Sequence, residues 1–386
     1  MNPVMKIWFE HLSKKQKNIV ALTAASAVLL TLAGIVFQPK VKTVNINDFS
    51  LDNSISDIAP KLGITKKALA RELNLKLNVS KKKPIKKLGV SQDAFTHSLN
   101  HLLSHKDSTL KYYFYFILSL SGLIYLLKLG RPDKLEIKLI KHYYPISIYV
   151  LFLFASVILC GFLLGKSPNP MEGVVKVFKS MVGLYPEPAV KTIAFLFFIS
   201  LAVIGNKIIC GWACPFGSIQ ELLYIIPVFK KIKKKKLPFW LANSIRSGLF
   251  IIMLLLLFAV VGNKKGFVIY HYLNPFNLFN FDFDYASIII TLILVSGFSL
   301  FVYRPFCQLI CPFGLVSWIF EKISVFKIRI DYQKCTNCGA CVNACPSQAA
   351  YGILKKKKMT ADCFSCARCL SVCPVDAITY KSIFKK

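Results

Sequence analysis

Hydrophobic residues along this chain collect into six long runs, 19–37, 112–129, 145–165, 192–209, 244–262 and 285–303, separated by polar stretches. Each run is about long enough to cross ~30 Å of hydrocarbon as a helix. The pattern predicts an all-α membrane bundle of six transmembrane helices. Two polar stretches are long enough to fold by themselves. The division expected is 1–42 for a cytoplasmic segment and first span, 43–111 for a small extracytoplasmic helical module, 112–325 for five membrane helices, and 326–386 for a C-terminal α+β domain.

A mean hydropathy of +0.52 agrees with a membrane protein. The first run follows Lys14, Lys15 and Lys17, as in a signal peptide, but Phe37-Gln38-Pro39 offers no cleavage site, so it reads as an uncleaved anchor. The net charge of +32 is the sum of 50 basic and 18 acidic residues. In a multi-span chain, lysines anchor helices and meet anionic lipid. The run Lys230, Lys231 and Lys233 to Lys236 reads as a cytoplasmic juxtamembrane cluster. With the N-terminus inside, segments 1–18, 130–144 and 210–243 carry 4, 4 and 6 Lys and Arg, against 4 and 2 in loops 166–191 and 263–284. Both termini are therefore expected in the cytoplasm, with the chain in the inner membrane. Segment 38–111 carries 14 basic residues but exceeds the ~60 residues over which the rule holds.

Cysteine spacing adds chemistry. Cys335, Cys338, Cys341 and Cys345 precede Pro346, and Cys363, Cys366, Cys369 and Cys373 precede Pro374. The run C-x2-C-x2-C-x3-C-P thus occurs twice. Zinc prefers two separated pairs of ligands, and disulfides suit a reducing cytoplasm poorly. The run resembles that of bacterial ferredoxins, which hold two [4Fe–4S] clusters. The resemblance implies an α+β ferredoxin-like domain whose fourth cysteines are exchanged. One cluster would take Cys335, Cys338, Cys341 and Cys373, the other Cys363, Cys366, Cys369 and Cys345.

A second duplication lies upstream. Cys210-Gly211-Trp212-Ala213-Cys214-Pro215-Phe216-Gly217 matches Cys307-Gln308-Leu309-Ile310-Cys311-Pro312-Phe313-Gly314. Each copy follows a two-span hairpin with Asn-Pro in its outer loop, Asn169-Pro170 and Asn274-Pro275. Such parallel repeats, related by an axis along the membrane normal, should bring Cys210, Cys214, Cys307 and Cys311 together at the cytoplasmic membrane edge. Proline after the second cysteine favours a new helix there, with Cys214 and Cys311 at its N-terminus. A further metal, a shared cluster, two redox-active dithiols and plain packing cysteines all fit this pattern, and the duplication of four matched cysteines favours a redox or metal role.

Other features carry less. Residues 57–70 resemble a helix-turn-helix core, with a looser copy at 84–91, yet the topology places them outside the cell and no nucleic-acid partner is expected. His97, His101 and His105 share one helical face, a spacing open to metal or haem but more simply an amphipathic surface. Cys160 reads as a core residue. No C-x-x-C-H occurs, so no covalent haem is expected.

Over residues 145–380, two C-x3-C-P motifs at span ends followed by a two-cluster module resemble the polyferredoxin family of NapH, NosR and CcoG. The resemblance implies electron transfer between the quinone pool or a cytoplasmic carrier and an extracytoplasmic reductase or metalloenzyme, with the chain acting as a quinol dehydrogenase subunit. Neither the flavin domain of NosR nor the immunoglobulin-like extension of CcoG is present, and segment 43–111 is additional. A copper reductase or assembly accessory is the alternative the CcoG likeness implies. A membrane-tethered regulator using the helix-turn-helix stretch is the third reading.

Overall fold

The computed structural model describes residues 49–62, 66–73, 75, 79–104, 109–129, 147–182, 188–226, 236–260, 267–283 and 285–382. The expected first span, the lysines 230–235 and His105 lie outside these residues.

The polar segment forms α1 (Ile55–Lys61), α2 (Lys66–Glu72), a 3-10 turn (Ile85–Leu88) and α3 (Gln92–Ser104). Its core is its own: Ile55, Ile58, Leu69, Ile85, Phe95 and Leu99 bury together. The Asp57 carboxylate accepts from the Ser54 hydroxyl at 2.6 Å, ordering the turn that opens α1.

Apolar helices follow: α4 (Thr109–Leu129), α5 (Ser147–Ala155) continued by a π-helical stretch (Ser156–Leu163), α6 (Pro170–Met181) and α7 (Pro188–Gly205). After them come α8 (Pro215–Ile225), α9 (Phe239–Leu257), α10 (Ala286–Ser299), α11 (Pro305–Leu309) and α12 (Pro312–Glu321). Among the described residues, three helices are long and apolar enough to cross a membrane: Leu110–Leu129, Pro188–Gly205 and Phe239–Leu257. The stretches Ile148–Leu163 and Ala286–Ser299 are apolar but shorter. The expected fourth span, 192–209, stops at Gly205 because Asn206 and Lys207 take left-handed backbone, with φ of 53° and 60°.

The chain then turns inward and back. A single π-turn (Ile209–Ala213) leads to Cys214, and α8 returns toward the C-terminal domain over about 16 Å at 1.5 Å per residue. Arg304, also left-handed at φ 45°, precedes the matching descent through α11 and the return along α12. Asn169 caps α6 by accepting from the Glu172 amide at 2.9 Å, and Asn274 does the same for Phe276 at 3.1 Å, so both Asn-Pro pairs open helical turns.

The C-terminal domain has β1 (Phe326–Ile330), α13 (Ala340–Ala344), α14 (Ala349–Leu354), α15 (Arg368–Ser371) and β2 (Ile378–Ser382). The strands pair antiparallel, Phe326 opposite Ser382 and Ile330 opposite Ile378. Phe326, Ile328, Leu370, Ile378 and Tyr380 form one core with Leu123 and Leu126 of α4, so this domain shares its interior with the membrane bundle.

Candidate functional site

Each C-x2-C-x2-C loop wraps through the same two left-handed positions. Asn337 (φ 55°) and Gly339 (φ 73°) in the first correspond to Ser365 (φ 51°) and Ala367 (φ 64°) in the second. Short side chains tolerate this region best, and the turns keep backbone amides facing the loop centre. One cavity is lined by Cys335, Cys338, Cys341 and Cys373, and a second by Cys345, Cys363, Cys366 and Cys369. The fourth cysteine of each run therefore lines the cavity of the other. Among the described residues, no three His, Cys, Asp or Glu side chains close around a single metal ion. Four thiols lining each cavity are the ligand set of a polynuclear group whose irons each take one sulfur. The donor set fits iron–sulfur clusters.

The second loop is pressed against the membrane bundle. The Trp212 indole donates to the Ser365 carbonyl at 3.0 Å, and the Ser365 hydroxyl donates to the carbonyls of Gly205 (3.1 Å) and Asn206 (2.9 Å). Tyr380 donates to Gly205 at 2.8 Å. The C-terminal domain thus satisfies carbonyls that the end of α7 leaves open. Gly211 lies against the Phe364 carbonyl, where any Cβ would collide with backbone. The first loop faces outward, and Cys338 is exposed.

Charges bind the same junction. Lys207, Arg246, Arg304, Glu221 and Asp362 are all nearly or fully buried. Asp362, just before Cys363, accepts from Arg246 at 2.9 Å and from Lys207. Burial works to raise its pKa, but these two cations hold it below the ordinary value. Glu221 accepts from Arg304 Nε at 2.8 Å and from Arg368, which lies inside the second loop. Both cations also reach across the repeats. Lys207 donates to the Gly314 carbonyl at 3.0 Å, and Arg304 donates to Cys210 and, at 3.2 Å, to Gly211. Phe364 lies beneath them, 5.7 Å from Lys207 Nζ and 5.0 Å from the Arg304 guanidinium carbon. Sequence reasoning missed this network. The signal was present: Lys207 and Arg304 each stand three residues before the first cysteine of their motif.

Glu321 supplies a pH-sensitive charge. It accepts from the Cys363 amide at 3.2 Å. Burial raises its pKa to about 8, with Lys207 opposing and Asp362 adding to the rise. It is protonated below that value and gains a negative charge above it. The reduction potential at the second loop should therefore fall as pH rises through about 8, by at most ~59 mV per unit for one electron. Potentiometric titration at several pH values should show this slope and its loss in Glu321→Gln. An unchanged slope in the variant would dismiss Glu321 as its source.

The duplicated cysteines also converge. Cys214 and Cys311 precede Pro215 and Pro312 as the residues capping α8 and α12. The first cysteines do not continue one regular helix with the second, because a π-turn and a break at Ile310 intervene. Cys210 and Cys307 bury in one apolar cluster, Cys214 in a second, and Cys311 packs against both. Gln220 donates to the Cys307 sulfur at 3.3 Å. Cys160 is fully buried, as a core residue should be. His97 is exposed on α3, and the side chain of His101 lies outside the described residues. Lys236 donates to the Val342 carbonyl of α13, so the end of the lysine run touches the C-terminal domain.

Comparison with known proteins bears on the same segments. Residues 192–236 match a family described as a 4Fe-4S binding domain, and residues 305–349 and 328–380 match two described as 4Fe-4S dicluster domains. An uncharacterised protein of Methanocaldococcus jannaschii is 32% identical over 39% of this chain and 55% of its own length. The putative electron transport protein YccM of Escherichia coli is 26% identical over 46% of this chain and 53% of its own. The ferredoxin-type protein NapH of Haemophilus influenzae is 28% identical over 38% and 49%. The chain thus spans about half the length of these curated relatives. No solved structure matches it. Its apolar helices, its paired cysteine cavities, these 4Fe-4S domain matches and these relatives together support a polyferredoxin-like family of membrane 4Fe–4S proteins.

Proposed function

We propose that this protein is a membrane electron conduit linking the quinone pool or a cytoplasmic carrier to a partner reductase across the inner membrane. The observation that carries the reading is the asymmetry of the two cysteine loops. Cys338 of the first is exposed, whereas the second is clamped through Asp362, Phe364 and Arg368 onto the duplicated motifs. Iron–sulfur clusters bound in these cavities would exchange single electrons without atom transfer. Cys335, Cys338, Cys341 and Cys373 would hold one, and Cys363, Cys366, Cys369 and Cys345 the other.

The protein's residues do the rest. The Arg368 Nε has no hydrogen-bond partner among the described residues, and its charge acts on Cys366 in the second loop, where it would favour an anionic group. The buried face around Trp212 and Phe364 keeps water from the junction. Lysine bias and the reducing environment the thiolates need support a cytoplasmic C-terminal domain. The names of the relatives, an electron transport protein and ferredoxin-type proteins, support the same reading.

The test is anaerobic purification of the full chain followed by stopped-flow reduction with menaquinol and, separately, with reduced ferredoxin. One donor should bleach the cluster absorbance rapidly and reversibly. Failure of both, together with loss of metal from a partner enzyme in cells lacking this protein, would favour the metal-handling accessory instead.

A further inference from the structure

We infer that Cys210, Cys214, Cys307 and Cys311 together ligate one additional iron–sulfur cluster, shared between the two repeats. The inference deepens the conduit reading by assigning the chemistry of its innermost site, and it rests on that reading only for the use made of the electrons. Four alternatives were open for these cysteines: a lone metal ion, two dithiols, a cluster, or packing.

Geometry separates them. Each of the four thiols lies close enough to feel the charge of the other three. Cys210 and Cys307 pack in one buried cluster, Cys214 in a second, and Cys311 against both, so four soft thiolate donors from the two repeats stand together, the ligand count of one cluster. Residues 192–236 match a 4Fe-4S binding description but contain only Cys210 and Cys214. Two thiolates are half a ligand set, and Cys307 and Cys311 of the second repeat supply the other half.

Surroundings decide against dithiols. Cys210, Cys214 and Cys307 are buried, and Cys311 nearly so. A thiol in such apolar surroundings is a poor nucleophile for disulfide exchange, whereas a metal removes the proton on binding. The Phe216 and Gly217 amides point at the Cys214 sulfur, and the Phe313 and Gly314 amides at the Cys311 sulfur. Gln220 adds a donor to Cys307.

The charge balance favours anions beside this network. Lys207, Arg246, Arg304 and Arg368 are four buried cations facing Glu221, Asp362 and Glu321. Even with all three carboxylates ionised, one positive charge is left over, and a buried charge without compensation is costly. Arg304 acts on Cys214 and Cys307, and Lys207 on Cys210 and Cys307. The second-loop cluster faces Arg368, and a net negative group on the four thiolates would be a further anion beside Arg304 and Lys207.

The experiment is iron and acid-labile sulfide analysis of the full chain purified anaerobically, with EPR of the reduced protein. The two cavities of the C-terminal domain account for about eight irons; about ten to twelve are expected, with a third EPR signal. Cys214→Ser and Cys311→Ser should each bring the count to about eight and remove that signal alone, which also shows that the variants fold. Cys160→Ser, a buried cysteine outside the quartet, should leave the count at the wild-type value. About eight irons in the wild type, with no third EPR signal, would overturn the inference and leave the conduit standing. Fewer than eight would count against both.

Discussion

Glu221→Ala should strongly destabilise the junction between the C-terminal domain and the membrane bundle. Glu221 is fully buried and accepts from both Arg304 and Arg368. Removing it strands two guanidinium groups in a low-dielectric interior. Breaking a buried pair in this way costs about 3–5 kcal/mol, and here one carboxylate serves two partners. Glu221→Gln keeps the shape and part of the hydrogen bonding but not the charge, so its loss should be smaller. Thermal unfolding in detergent and limited proteolysis near residue 325 would read both effects. A Glu221→Ala protein that melts with the wild type would refute the idea that this network holds the two parts together.

The second large effect concerns exchange of ligands between the cysteine runs. Cys345→Ser should abolish the cluster of the second loop, although Cys345 belongs to the first run, because it lines the cavity with Cys363, Cys366 and Cys369. Cys373→Ser should do the reverse, because Cys373 lines the cavity of Cys335, Cys338 and Cys341. Serine is a poor ligand for soft metal centres. Each variant should lose about four irons and one EPR signal, and the two lost signals should differ. Loss of the signal belonging to the mutated cysteine's own run would show uncrossed ligation and contradict the cavity lining.

Much of this architecture was legible in residue order. Cysteine spacing marked both loops, and the exchange of their fourth cysteines, implied by the ferredoxin resemblance, matches which cysteines line each cavity. Cys-Pro dipeptides marked the starts of α8 and α12, because proline fits the first helical turn. The ends of spans were not legible. Gly205 closes α7 because Lys207 must turn inward to reach Asp362, and a partner so far along the chain leaves no local trace. The junction was hidden for the same reason. Arg246 looks like an ordinary polar interruption of an apolar helix, and Asp362 like a loop residue, until folding pairs them at 2.9 Å. The repeat at Lys207 and Arg304 was visible but held no meaning without the carboxylates it serves.

The clamp on the second loop has a kinetic consequence. A carrier domain on a flexible tether delivers electrons by swinging, so its turnover slows as the solvent thickens. Here Ser365, Trp212, Gly211 and the paired charges fix the loop to the bundle on several sides. The gap an electron would cross there is then set by covalent structure and packing. Viscosity and salt should slow only the arrival of the external redox partner, while internal equilibration stays insensitive to both, as in a wire rather than a ferry.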